Sequence, residues 1–242
     1  MFANPYYLIS TLTLAVLPSL VWLFFYLKED SHPEPKYWLL ITFVIGIALA
    51  PLVIFLEMFL NKWNSSVLIF IIAPLIEEVA KYGAVHLALN KNPVLDEPVD
   101  GMIYVIVSAL GFAAIENVFA IFSFIPVGVF GYLSATLNFM SMRFISALAL
   151  HGLASGIAGY YFSRFYFFER NPILIFKGLF LAIALHGTYN FLIIKNEESL
   201  PVILIGIILG SAAVLVLYFF NRLKHHIAYQ QAAVDEVVVN KI

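Results

Sequence analysis

The sequence predicts an all-α protein, a polytopic membrane helix bundle of about seven transmembrane helices with room for an eighth. Three observations carry that expectation. Hydrophobic residues make up 62% of the 242 positions and charged residues 12%, outside the range of ordinary soluble domains. The apolar residues gather in seven runs, each about 20 residues long, which at about 1.5 Å rise per residue crosses roughly 30 Å of hydrocarbon. Most charged and Pro-containing stretches fall between those runs.

The runs are Tyr6 to Leu27, Tyr37 to Leu60, Ser66 to Leu89, Val99 to Phe124, Met142 to Ser163, Pro172 to Ile194 and Pro201 to Phe220. Between the fourth and fifth, Ile125 to Met140 is apolar but carries Pro126, Gly128 and Gly131, which reads as a re-entrant or interfacial segment instead of a span. One membrane-embedded domain is expected over residues 1–220, followed by a juxtamembrane tail over 221–242. No Lys or Arg precedes the first run, so it lacks the basic region of a signal peptide and reads as a retained helix.

Lys28, Lys36, Lys91, Arg164, Arg170, Arg222, Lys224 and Lys241 fall on the side of the first, third and fifth connections and the tail, against Lys62, Arg143 and Lys195 opposite. By the positive-inside rule this is a multi-pass cell-membrane protein with its N-terminus outside and its C-terminus cytoplasmic. The bilayer is its first partner. A net charge of −2 without a basic block argues against nucleic acid as another. Cysteine is absent, so disulfides, thiol nucleophiles and Cys-ligated zinc are excluded, and any metal must use His and carboxylate. The adjacent His225 and His226 of the tail read as incidental.

Ionisable groups inside a span cost about 2.5–3.5 kcal/mol each on insertion scales, so each one retained needs a reason. IAPLIEEVAKYGAVH in the third run places Glu77, Glu78 and Lys81 within about one turn, SALGFAAIENVFAIF holds Glu116 and Asn117, the fifth run holds His151, and the sixth holds His186 and Asn190. Counted from the outer end, Glu77 and Glu78 lie ~18 Å down and Glu116, His151 and His186 ~12–14 Å down. Packed around one cavity, these four helices would form a single site open to the outer half of the membrane.

Each residue also has a plainer reading. One of the two glutamates could serve a structural ion pair with Lys81, and since adjacent residues point about 100° apart, one Lys is expected to neutralise only one of them. A lone His, Asn117 or Asn190 commonly joins helices by side-chain hydrogen bonds. Glu57 and Asp100 lie near helix ends and read as interfacial or capping groups. Gly152, Ser155, Gly156, Gly159 and Gly111 offer small surfaces for close helix packing.

Carboxylate and imidazole in a dry cavity suit the activation of water. With a metal, His151, His186 and Glu116 would be ligands and Glu78 the base, using a divalent ion such as zinc. Without one, a glutamate draws the proton while His186 and Asn190 stabilise the oxyanion. Both chemistries stay open. The HExxH motif, the GxSxG elbow and the Walker loop are all missing.

EEVAKY, DEPVDGMIYVIVSALGFAAIENVFA and the two His-containing spans, over roughly Ala73 to Phe191, resemble the PrsW family of intramembrane proteases. That family is related to the CAAX prenyl-protease and bacteriocin-immunity superfamily, from which this chain departs by carrying Glu116 where those proteases carry a histidine. The resemblance implies that Glu77, Glu78, Glu116, His151, His186 and Asn190 form the catalytic set with Lys81 and Asn117 as structural support. It also implies cleavage of a single-pass or membrane-anchored protein, as in the cutting of an anti-sigma factor near the extracytoplasmic face. On the residues and the resemblance together, an endopeptidase with Glu78 and Glu116 foremost is the leading expectation. A non-catalytic scaffold that uses the polar network for packing is one rival and an ion-coupled carrier the other.

Overall fold

The computed structural model describes residues 5–30, 32–60, 68–89, 94–126, 130–194 and 199–239. Among these are eight α-helices and no strand: α1 (Pro5–Leu27), α2 (Lys36–Leu60), α3 (Ala73–Leu89), α4 (Pro98–Phe124), α5 (Tyr132–Ile145), α6 (Ala147–Ser163), α7 (Ile173–Ile194) and α8 (Ser199–Val239). Lys62, Lys91, Lys195, Lys241, Gly128 and the side chain of His226 lie outside the described part.

Six stretches are long and apolar enough to cross a membrane: α1, α2, α4, the continuous Tyr132–Glu169 segment, α7, and Val202–His225 of α8. The chain is therefore a multi-pass membrane protein with the helical bundle architecture the composition implies. The third apolar run becomes α3, 17 residues long, extended on its N-terminal side by a π-helical turn over Leu68–Ile72.

One boundary differs from expectation. The break after α4 is short, and helix resumes at Tyr132, because no Pro or Gly falls between Tyr132 and His151 to oppose it. Gly131 supplies the turn with a left-handed φ of 78°. Met142–Ile145 thus belong to α5, and the backbone bends at Ser146 before α6 begins.

α4 and α6 form the centre. Every residue of α6 is buried, as is α4 from Pro98 to Ala114, while α1, α2, α3, α7 and α8 pack around them. Large apolar side chains such as Phe24, Phe55, Phe176, Phe180 and Val214 point outward. In lipid such a surface is at home, and helix association must come from close packing and polar contacts.

Close packing is provided by glycine. A Cβ on Gly46 of α2 would lie 2.1 Å from the Ser108 carbonyl oxygen, and one on Gly111 of α4 would lie 2.2 Å from that of Phe43. Those neighbours are backbone and cannot rotate aside, so Gly46→Ala or Gly111→Ala must push the two helices apart. We expect a loss of about 1–3 kcal/mol, read by thermal unfolding in detergent, against no loss for Gly206→Ala, whose Cβ would meet open space.

Candidate active site

α3 brings Glu77, Glu78 and Lys81 inward on one turn, all three buried. The Lys81 ammonium donates to Glu77 Oε2 at 2.9 Å and to Glu78 Oε1 at 2.8 Å. One lysine therefore contacts both carboxylates, against the expectation from their angular spread, although its single charge balances only one of them. Its long stem reaches back over the preceding turn, where residues three and four positions earlier converge. The third ammonium proton is directed at His151 Nδ1, 2.8 Å away, and the charge lies 4.9 Å from the centroid of the Phe112 ring. α4 is tied to the same turn by the Ser108 hydroxyl, which donates to the Lys81 carbonyl at 2.7 Å.

α7 supplies His186. A Cβ on Gly187 would stand 2.1 Å from the Phe70 carbonyl oxygen, so the missing side chain lets α7 lie directly against the π turn that leads into α3. His186 Nδ1 then sits 2.9 Å from Glu78 Oε1, and its Nε2 faces Glu77 Oε1 across 3.8 Å. A carboxylate only accepts, so Nδ1 carries the proton in that contact and Nε2 of the neutral ring presents its lone pair. Ser155 of α6 donates to Glu78 Oε2 at 3.4 Å, and the two imidazole rings stand nearly perpendicular, 5.3 Å apart.

Glu116 and Asn117 extend the network outward. His151 Nε2 approaches Glu116 Oε2 to 2.7 Å, although no donor proton is aligned on that oxygen among the described residues. Arg143 of α5 donates from NH2 to Glu116 Oε1 at 3.1 Å and from Nε to Asn117 Oδ1 at 2.7 Å. The Asn117 amide donates to the Ala15 carbonyl at 3.2 Å, so both ends of its side chain join helices. Side-chain exposure rises from 1% at Glu78 to 10% at Glu77 and 30% at Glu116, which marks the Glu116 and Arg143 side as the more open one.

Glu77, Glu78, Lys81, His151 and His186 thus meet directly, and Glu116 touches the group through His151. Asn190 lies one turn beyond His186, half-buried and with an interaction of its own. Three contributors escaped the sequence reading. Arg143 opens the expected fifth run and reads there as a charge of the adjoining loop, whereas it lies in the last turn of α5. Ser155 was read only as a small packing residue. Glu57, assigned to an interface, turns its carboxyl toward Glu77 and lies within electrostatic reach of Glu116 and Lys81. Its place three residues before the end of α2 is the available signal, once that end of the helix is treated as part of the site.

A polytopic helix bundle whose carboxylates and imidazoles converge in the buried interior defines an integral membrane enzyme of the hydrolytic kind. The chain belongs to the PrsW family: the pattern of the PrsW family intramembrane metalloproteases matches residues 34–222. It is 32% identical over 209 residues to Protease PrsW of Clostridioides difficile (strain 630), across 79% of this chain and 82% of that protein. It is 28% identical over 196 residues to Protease PrsW of Geobacillus kaustophilus (strain HTA426), across 78% and 82%, and 27% identical over 176 residues to that of Bacillus subtilis (strain 168), across 70% and 76%. No solved structure matches. The chain is a membrane-embedded protease.

The family description implies a metal. Glu77, Glu78, His151 and His186 each bring one donor atom within 4.8 Å of the others, all four residues being buried. Imidazole and carboxylate suit zinc and other borderline divalent ions, and the Glu78 contact at His186 Nδ1 holds that ring with Nε2 free, as a carboxylate behind a metal-ligating histidine does. The residues therefore fit such an ion. The Lys81 ammonium stands among three of the four donors, so it and a divalent ion compete for them.

Proposed function

We propose that this protease is an endopeptidase that hydrolyses a peptide bond in or beside the transmembrane segment of a membrane-anchored protein, with Glu77 as the base facing the attacking water. The supporting observation is the 3.8 Å separation of Glu77 Oε1 and His186 Nε2. These two atoms face one another too far apart for a direct hydrogen bond, so a water bound to both would sit beside the line joining them, while Glu78 is buried with both oxygens engaged. Glu77 takes a proton from that water as its oxygen attacks the carbonyl carbon, and returns it to the departing amine. Glu78 holds His186 in the tautomer that presents Nε2 to the water. Lys81 donates to both carboxylates and holds them in place. Asn190, on the same helix face as His186, donates to the developing oxyanion. A metal held by Glu78, His151 and His186, with Glu77 left to face the water, would supply Lewis-acid activation when bound.

Substrates of the anti-sigma-factor type, a site that opens toward the outer half of the membrane, an outside N-terminus and a cytoplasmic tail over 221–242 complete the reading. The test is cleavage of a single-pass substrate in liposomes by the Glu78→Gln, Glu116→Gln, His151→Ala and His186→Ala variants. Unchanged cleavage by all four would reject the enzymatic assignment and favour the scaffold reading, provided thermal unfolding shows them folded. Arg143→Ala, which releases Glu116 and Asn117 from α5, should lower cleavage by about tenfold, the usual scale for a residue that positions a catalytic group.

A further inference from the structure

A second group of acids sits at the opposite end of the bundle, away from the protease centre. Asp30 and Glu34 come from the connection between α1 and α2, Asp96 and Glu97 from the connection between α3 and α4, and Asp100 from the first turn of α4. Carboxylate oxygens of Asp30, Glu97 and Asp100 lie within 4.8 Å of one another, and so do those of Glu34, Asp96 and Asp100. Asp100 is common to both sets. As expected of a capping residue, its Oδ2 accepts the backbone N–H groups of Glu97 at 2.6 Å and Asp96 at 3.0 Å. Its Oδ1 is buried and receives no N–H or hydroxyl donor among the described residues, and the Asp100 carboxyl, wholly inaccessible, lies against that of Glu34.

The charge balance here is unusual. Glu34 is also buried, its Oε2 accepting the Tyr104 hydroxyl at 2.6 Å, and Asp30 is occupied by the backbone N–H groups of His32 and Glu34. His32 meets Glu97, but among the described residues no Lys or Arg pairs with any of these five acids. Lys28 lies over the Phe24 ring and Lys224 pairs with Glu29. Two neighbouring buried carboxylates without a counter-charge are unfavourable. A shared proton would serve Glu34 and Asp100 alone, whereas a cation would also draw in Asp96, which groups with both of them. An open cavity of about 900 Å³ lined by Glu34, Trp38, Asp96 and Glu97 leads to the cluster, so a hydrated ion has a route in.

We propose that Asp100, Glu34 and Asp96, with Asp30 and Glu97 beside them, bind a hard divalent cation of the calcium or magnesium class. The donors are all oxygen, as hard divalent cations require, and the flexible shell of calcium tolerates donors drawn from two connections and a helix end better than the octahedral shell of magnesium does. Bound there, the ion would pin two connections to the base of α4, the helix that carries Glu116, and would stabilise the folded bundle by mass action.

Trp38 lines the same cavity, so terbium bound at the cluster should be sensitised by tryptophan excitation. We expect purified full-length protein in detergent to give saturable terbium emission that calcium displaces, with magnesium tested in parallel. Asp96→Asn and Asp100→Asn should each weaken terbium binding by about tenfold or more. Asp96 is exposed, so its variant keeps the fold testable if Asp100→Asn does not. His186→Ala should leave the emission unchanged, which separates this site from the protease centre. Absent emission, emission indifferent to Asp96→Asn, or emission lost with His186→Ala would overturn the proposal. So would a melting temperature that neither calcium nor magnesium raises while Asp100→Asn does, the mark of a shared proton.

Discussion

Glu77→Gln is expected to lower the rate of intramembrane cleavage by about 10²–10⁴, the range attributed to a general base. The substitution keeps the shape of the side chain and its hydrogen bond to Lys81 through the amide oxygen, while removing the group that takes the proton from water. Measured in liposomes at saturating substrate, the loss should fall on kcat, with melting temperature little changed. Glu78→Gln is also expected to impair cleavage, but through His186, since Glu78 Oε1 holds His186 Nδ1 at 2.9 Å. A Glu77→Gln protein that cleaves at the parental rate while Glu78→Gln is inactive would transfer the role of base to Glu78.

Lys81→Met should be the most destabilising single change at the centre, costing about 3–5 kcal/mol, as expected when one member of a buried ion network is removed. Methionine fills most of the space, so the effect isolates the ammonium. Without it, Glu77 and Glu78 face one another in the interior without the cation that donates to both at 2.9 and 2.8 Å, and His151 Nδ1 loses its donor. Thermal unfolding in detergent should show the loss. The double variant Lys81→Met with Glu78→Gln should recover part of it by removing one of the stranded charges. Equal melting temperatures for Lys81→Met and the parent would show that the ammonium contributes nothing to holding the network.

Much of the centre is legible in the sequence alone, because an ionisable side chain in an apolar run is conspicuous by its cost. Glu77, Glu78, Lys81, Glu116, His151 and His186 were all found that way, and their similar computed depths pointed to a common layer. The wrong inference about Lys81 came from treating each side chain as a vector at its Cα, which neglects how far a lysine stem bends back along its helix. Glu57 and Arg143 were missed for a different reason. Both lie near helix ends, where a charge is inexpensive and so attracts no notice, and only packing turns them toward the buried acids.

The sequence by itself determined that the chain is a membrane helix bundle and which polar residues it buries, because the transfer of a helical segment into hydrocarbon is a sum over its own residues. Only the tertiary structure decided which oxygen faces which nitrogen. Those contacts depend on the rotation of each helix about its axis and on how closely two backbones approach, and here both are set by glycines such as Gly46, Gly111 and Gly187 meeting backbone carbonyls on another helical segment. No local pattern encodes that pairing, since a glycine reads the same whether it faces lipid, as the open surroundings of Gly206 allow, or a neighbouring backbone.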